Sequence, residues 1–274
     1  MAVTKFATRG TPVEQLIVVP YRGGGFAAHR RGAIGWLTAV VILVLWAMSA
    51  RFNWIDPLYF PAPDSVARAL WTSLTTGTLL TDIGVSLARI GSGWLLGTVA
   101  GLAFGLAMGV STAARSAGSP IVSALFPIPK IALLPLFILW FGIGEPSKVM
   151  TIALGVFFPT AISTASGVDN VARNLVRMGL SFNLPRRAIV FSILLPGALP
   201  SILSGFRISL SLALILVVSA EMIGAERGLG VFVLQAGNLM QTDQLIAGVA
   251  VMSIIGLALG ALLTRLEAVL LAWR

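Results

Sequence analysis

DNVARNLVRMGLSFNLPRRAIVFSILLPGALP, running from Asp169 to Pro200, is the longest polar, arginine-bearing interruption in an otherwise apolar chain. With Asp169, Arg173, Arg177, Arg186 and Arg187 in it, this stretch cannot lie in lipid. It is nevertheless patterned. Val171, Leu175, Met178 and Phe182 recur at helical spacing on one face, and Asn170, Arg173, Asn174, Arg177 and Ser181 fill the other. Asn183 tolerates the left-handed conformation that ends a helix. Pro185 follows as a stop or as the first residue of a second helix, and the apolar run Ala188 to Leu195 ends at Pro196. The stretch reads as a helix–turn–helix on a membrane face, presenting a ridge of apolar and basic side chains to a soluble partner.

The rest of the chain supplies the membrane. Of its 274 residues 57% are hydrophobic and only 11% charged, with a mean hydropathy of +0.95. Soluble domains carry about 25% charged residues, so the deficit indicates a polytopic membrane protein. A net charge of +9 suggests nucleic acid in a soluble protein, but no basic stripe with interleaved aromatics appears. Basic loops held on one side of a membrane account for it. The chain has no Cys and one His, His29, which lies in the basic run HRR. Thiolate metal sites, disulfides and cysteine nucleophiles are therefore excluded.

Six spans are expected. Residues 1–31 are a basic polar tail, and no signal-peptide apolar core follows its first charges. Gly32 to Ala50 is the first span. Residues 32–82 comprise that span and a long connection, in which Asp64 or Ser65 caps a short helix with Val66, Leu70 and Leu74 on one face. Residues 83–274 form the core, including a loop over 169–196. Its first span, Ile83 to Val110, carries Gly97, Gly101, Gly105 and Gly109 at every fourth position, a spacing that lets helix backbones approach closely. Generic packing explains that spacing better than a dimer seam does.

A short loop with Arg115 precedes a third span, Pro120 to Phe141, containing Pro127, Pro129 and Pro135. Three prolines argue against a straight helix, and the freed carbonyls need partners or a water-lined cavity. This broken element is a candidate for the wall of a pathway. The remaining spans are Val149 to Gly167, Ile202 to Gly224 and Gln244 to Leu270, with a loop and short helix between the last two.

Six spans place both termini on one side. With the amino terminus inside, inner segments hold twelve basic residues, Arg115, Arg173, Arg177, Arg186 and Arg187 among them, and outer segments hold four: Arg51, Arg68, Lys148 and Arg227. The positive-inside rule then puts both termini and the opening stretch in the cytoplasm.

Charges within spans are functional candidates by default. Lys130 lies among the prolines. It is read either as a cation facing an anion path or as a lysine that snorkels or neutralises a nearby carbonyl or acid. Arg89, near the outer end of its span, reads as an interfacial anchor, and Arg207, near the inner interface, as structural. Glu221 is a pathway candidate that can equally pair with a cation or cap a bend. The turn GAERGLG (224–230) is glycine-rich because the chain reverses there.

No Walker A sequence exists, because no glycine precedes Lys5, Lys130 or Lys148. No zinc-binding His/Glu pattern or GxSxG elbow is present, and no catalytic or metal residues are assigned.

The opening stretch resembles the EAA loop of permease subunits of binding-protein-dependent ABC importers, which runs EAA, three residues, Gly, nine residues, Ile, one residue, Leu-Pro. Anchored on Ile193-Leu194-Leu195-Pro196, the family glycine falls on Asn183 and the EAA triplet on Arg177-Met178-Gly179. SLARIGSGWLLGTVAGLAFGLAMG, PIPKIALLPLFILWFGIGEPSK, LPGALPSILSGFRISL and SAEMIGAERGLGVFV are similar to the subfamily that imports taurine, alkanesulfonates, nitrate, bicarbonate or thiamine-precursor pyrimidines. The resemblance spans about residues 55–272 and departs from the family pattern in the first half of the EAA loop.

It implies an all-α, six-helix type I ABC importer transmembrane domain in the bacterial inner membrane. Two permease copies would form the path, two ATP-binding subunits would dock below, and an extracytoplasmic solute-binding protein would dock outside. ATP and Mg would reside on the ATPase, with no cofactor in this chain, and membrane lipid would surround the spans. The family's coupling helix maps onto about Val171 to Asn183. Arg173, Asn174, Arg177, Met178, Ser181, Phe182 and Asn183 are the expected ATPase contacts, and Lys130, Pro127, Pro129 and Glu221 the pathway candidates. A rival reading is a secondary transporter driven by an ion gradient, which needs intramembrane acids. Only Glu221 comes close to that need, and no inverted repeat is apparent. An intramembrane enzyme is disfavoured because no nucleophile or metal set is recognisable.

Overall fold

The computed structural model describes residues 32–52 and 54–273, so the basic tail and His29 lie outside it. The chain divides between Met48 and Ser49 into two units. The first contributes all but the last three residues of α1 (Gly32–Arg51), whose apolar run is long enough to cross a bilayer.

The second unit holds the other helices. These are α2 (Pro63–Thr75), α3 (Thr78–Val110), α4 (Thr112–Leu125), α5 (Leu134–Phe141), α6 (Glu145–Asp169), α7 (Arg173–Ser181), α8 (Arg186–Ile189), α9 (Leu195–Gly224), α10 (Leu229–Asn238) and α11 (Thr242–Leu270). No strand occurs among the described residues. Helices α1, α3, α6, α8–α9 and α11 are each long and apolar enough to span. α4 and α5, bent by 92° at a break around Pro127 and Pro129, pass the same test only as a pair, which gives five spans, or six where the pair counts as one broken span. The fold is thus all-α and polytopic, as the composition requires.

The core is a three-helix stack in which α3 packs on α6 and α6 on α9. The glycines every fourth residue along α3 make the first contact possible. A Cβ at Gly97, Gly101 or Gly105 would stand 2.3 Å from the Ala153 carbonyl oxygen, 2.6 Å from that of Phe157 and 2.4 Å from that of Ala161. At Gly109 it would meet Val168 Cβ at 2.8 Å. The stripe is thus a seam within one chain. Ile90, Ile152, Val156, Ala213 and Val217 fill the interior where the three helices meet. A second cluster packs Leu70 and Leu74 of α2 against Leu79, Val251 and Ile255, placing α2 on α3 and α11.

Several boundaries differ from the sequence expectation, for local reasons. α3 begins at Thr78, a turn before Ile83, because Gly77 takes a left-handed φ of 79° and separates it from α2. Arg115 lies in a helix rather than a loop. Ser111 caps α4, its hydroxyl accepting from the Ala114 N–H, and the helix then continues through Pro120. α2 is capped by neither Asp64 nor Ser65. Its N-cap is Ala62, and the Ser65 hydroxyl donates to the Ala62 carbonyl.

The largest difference is at Pro196. The second arm of the hairpin does not end there. α8 passes through a five-residue π-helical segment, Val190–Leu194, into α9, giving an apolar helix from Arg186 to Gly224. Proline removes the N–H that would bond the Ser192 carbonyl, and the wide turn directly before it absorbs the mismatch. Pro185 serves as the N-cap of α8, outside its first turn.

Candidate functional site

Three constellations concentrate the polar chemistry of the second unit: the hairpin around α7, the break between α4 and α5, and a buried ion-pair network at the opposite end of the spans.

The hairpin is built by its terminator. Asn183 adopts φ 54°, the Leu184 N–H donates to the Gly179 carbonyl at 3.0 Å, and the Asn183 N–H donates to Leu180 at 2.9 Å. This is the Schellman pattern, with asparagine in the position glycine usually takes. On the inner side, Gly179 lies so close to the π segment that a Cβ there would stand 2.8 Å from Ile193 Cδ1. Val176 joins it in the cluster with Val168, Val171, Ala198 and Ile202.

The outward ridge consists of Leu175, Met178 and Phe182, the last 74% exposed, flanked by exposed Asn174 and Ser181. Burying such a ridge against a partner is favourable, and leaving it in water is not. The sequence-defined apolar face therefore splits. Val171 packs inward, while the other three point away from their own chain. Sequence reasoning missed the inward contacts of Val176 and Gly179, which sit between the periodic positions. Arg173 and Arg177 do not join the ridge. They line a cavity between the hairpin and the ends of α3 and α6, together with Arg115, Asp169 and Arg186. Arg115 and Asp169 pair at 2.5 Å across the same end of the bundle.

At the break, Lys130 opens a 3-10 turn, Lys130–Leu133, that leads into α5. Its ammonium donates to the carbonyls of Leu125 at 3.1 Å, Phe126 at 2.5 Å and Ile128 at 2.8 Å. It also lies 4.7 Å from the centre of the Phe158 ring and 5.3 Å from that of Phe126. All three donors are used on carbonyls at the proline break, where the Leu125 carbonyl also accepts from the Ile128 N–H at 3.3 Å. Of the two readings of Lys130, the one in which it neutralises carbonyls matches this geometry. Pro127 and Pro129 form the break itself, and Pro135 sits in the first turn of α5.

At the opposite end, Arg89 is 3% exposed and Glu221 1% exposed. The guanidinium Nη1 donates to Glu221 Oε1 at 2.7 Å and to the Arg227 carbonyl at 2.7 Å, and Nε and Nη2 grip both oxygens of Glu145 at 2.6 Å. Ser86 donates to Glu221 Oε1 at 2.7 Å, and its hydroxyl accepts from the Leu229 N–H. Glu221 Oε2 accepts from the Gly230 N–H at 2.8 Å, and Asp82 accepts from the Gly228 N–H. Gly228 has φ 133°, and a Cβ on it would meet the Glu221 carboxylate at 2.5 Å, so the turn is glycine-rich to let the backbone reach that carboxylate.

Arg89 is therefore an interior clamp joining α3, α6, α9 and the turn before α10, and not an interfacial anchor. Glu221, also carried as a pathway candidate, takes the pairing role, with its carboxylate engaged inside the chain. Two opposite charges within apolar runs near the same membrane end were the available signal. Arg207, expected to be structural, pairs with Glu267 at 2.5 Å.

Residues 97–272 match the family model described as binding-protein-dependent transport system inner membrane component. The chain is 38% identical over 241 residues to the taurine transport system permease protein TauC of Escherichia coli (strain K12), covering 86% of this chain and 88% of that protein. It is 32% identical over 240 residues to the putative aliphatic sulfonates transport permease protein SsuC of Bacillus subtilis (strain 168), covering 88% and 87%. It is 31% identical over 235 residues to the formylaminopyrimidine transport permease protein ThiX of Halalkalibacterium halodurans, covering 86% and 93%. In fold it resembles a chain of the inward-facing MetNI methionine ABC transporter, with a TM-score of 0.64 at 20% identity over 72% of this chain and 97% of that one. The chain belongs to the family of inner membrane components of binding-protein-dependent transport systems, the permease subunits of ABC importers.

Proposed function

We propose that this permease subunit forms, with a second copy of itself, the path for a small organic sulfonate. In this reading α7 is the lever on which a separate ATP-hydrolysing subunit pulls. The end of the bundle bearing α7 faces the cytoplasm with both termini, in keeping with the basic bias of its segments. An extracytoplasmic binding protein delivers solute at the end bearing the Arg89 network. ATP and Mg belong to the partner, consistent with the lack of a phosphate-binding lysine motif here. The sulfonate is suggested by the names of the taurine and aliphatic sulfonate relatives.

The observation that carries the proposal is the ridge of Leu175, Met178 and Phe182, which stands out from its own chain on a helix outside the spans. ATP drives alternating access only by binding one arrangement of the assembly more tightly than the other, so the force must enter through a rigid contact. A helix closed by a Schellman turn and seated on Ile189 and Ile193 meets that need. The rival ion-gradient carrier needs a free intramembrane acid, and Glu221 is committed to Arg89. Radiolabelled taurine uptake, measured beside ATP hydrolysis in proteoliposomes holding the co-purified subunits, tests the proposal. Met178→Ala with Phe182→Ala should leave the protein folded and hydrolysis running while uptake falls at least tenfold. Wild-type coupling in that variant, or taurine uptake by this chain with no ATPase present, refutes it.

A further inference from the structure

The cavity at the root of α7 has a composition that the coupling role does not use. It is an open space of about 970 Å³ between the hairpin and the ends of α3 and α6. Arg115 reaches it from α4, Arg173 and Arg177 from successive turns of α7, and Arg186 from the start of α8. Four arginines face a single acid, Asp169, a surplus of three positive charges. That acid is already held by Arg115 at 2.5 Å. Among the described residues, the guanidinium groups of Arg173, Arg177 and Arg186 have no ion-pair or hydrogen-bond partner. The floor between them is apolar, formed by residues such as Val110, Val168 and Leu194.

A general inward bias of basic residues explains why these arginines lie at this end of the bundle, but not why three helices aim them into one concavity. Like charges gathered over a low-dielectric floor repel, and a bound anion relieves that repulsion. Guanidinium forks match the oxygens of phosphate or sulfonate in a bidentate manner.

We infer that this cavity is a binding site for a tetrahedral oxyanion, seated between the hairpin and the spans. The inference does not depend on where the ATPase docks, because the ridge of Leu175, Met178 and Phe182 faces elsewhere. Two sources present that chemistry: the phosphate of an anionic phospholipid, whose chains would lie along the apolar floor, and a free anion from the aqueous side. An occupant at this position bridges the lever and the spans it moves, and so tunes how firmly one follows the other.

The test uses the full chain with its co-purifying subunits in nanodiscs. In one arm, nanodiscs of phosphatidylcholine carry a minority of phosphatidylglycerol, and retained lipid is read by native mass spectrometry. In the other, pure phosphatidylcholine nanodiscs are titrated calorimetrically with inorganic phosphate. Arg173→Gln and Arg186→Gln, made separately so that one serves if the other fails to fold, should each weaken binding by about tenfold, the scale of one charge-assisted hydrogen bond. Arg186→Lys, which keeps the charge and loses the fork, should fall between. Arg68→Gln, on exposed α2, should change nothing. Loss in the phosphatidylglycerol arm identifies lipid as the source, and loss in the phosphate arm a soluble anion. Binding of neither probe, or binding that the arginine variants leave unchanged, overturns the inference.

Discussion

Arg89 and Glu221, 132 positions apart, meet at 2.7 Å with side chains 4% and 0% exposed, tying the first third of α3 to the last turn of α9. Neither charge is alone there. Glu145, Ser86, the Arg227 carbonyl and the Gly230 N–H complete the shell. Removing one partner of such a buried pair strands the other and costs about 3–5 kcal/mol, whereas replacing both with apolar residues of similar volume costs much less. Arg89→Ala and Glu221→Ala should each lower thermal stability in detergent sharply, and Arg89→Met with Glu221→Leu should recover a large part of the loss. Additive losses in the double variant would contradict a coupled network.

The seam between α3 and α6 predicts a position-dependent response to a single methyl group. Gly101→Ala forces a carbon to within 2.6 Å of the Phe157 carbonyl and should destabilise by about 1–3 kcal/mol. Gly91→Ala, on the same helix, meets nothing within 4 Å and should be neutral or slightly stabilising, because alanine is the better helix former. Unfolding midpoints of the two purified variants give the comparison.

Lys130 separates a structural role from a transport role. If its ammonium serves the carbonyls of Leu125, Phe126 and Ile128, Lys130→Met leaves those of Phe126 and Ile128 without this donor, Leu125 keeping only the Ile128 N–H, and should cost about 2–4 kcal/mol of stability. The KM for solute uptake in the folded fraction should stay within about twofold, since a change of that size is below 0.5 kcal/mol. A large rise in KM with stability intact would return Lys130 to the pathway wall.

The Arg115–Asp169 pair is a contrasting case. Both side chains are about half exposed, at 43% and 50%, so the pair is screened and worth at most about 1 kcal/mol. Asp169→Asn should shift the unfolding midpoint little, and far less than any change at Glu221.

What the sequence revealed was whatever local chemistry decides. Asn183 was readable as a helix terminator because its tolerance of positive φ belongs to the residue. The glycine spacing of α3 announced a close helix contact, since only small residues permit one. The three prolines forecast a broken span for the same kind of reason. What stayed hidden depends on distant partners. The identity of α6 as the helix against the glycines, and of Glu221 and Glu145 as partners of Arg89, are tertiary facts. Pro196 misled because its stopping rule assumes a regular α-helical turn before it, and the π segment supplies a different one. Arg115 was expected in a loop because the polar run STAARS reads as a connection, yet Ser111 makes it the start of α4. The apolar face of α7 was legible as a face, but periodicity could not tell which members the chain would keep for itself.

The glycine seam also limits how the protein can move. Where main chain lies on main chain there are no long side chains to re-pack, so gradual slippage of α3 along α6 has no low-energy route. One step would have to traverse a full repeat of about 6 Å, four residues at 1.5 Å each. The two helices must then travel as a single rigid plank. Any rearrangement that carries solute has to flex at the softer joints already present, the Pro127–Pro129 elbow and the π turn above the hairpin.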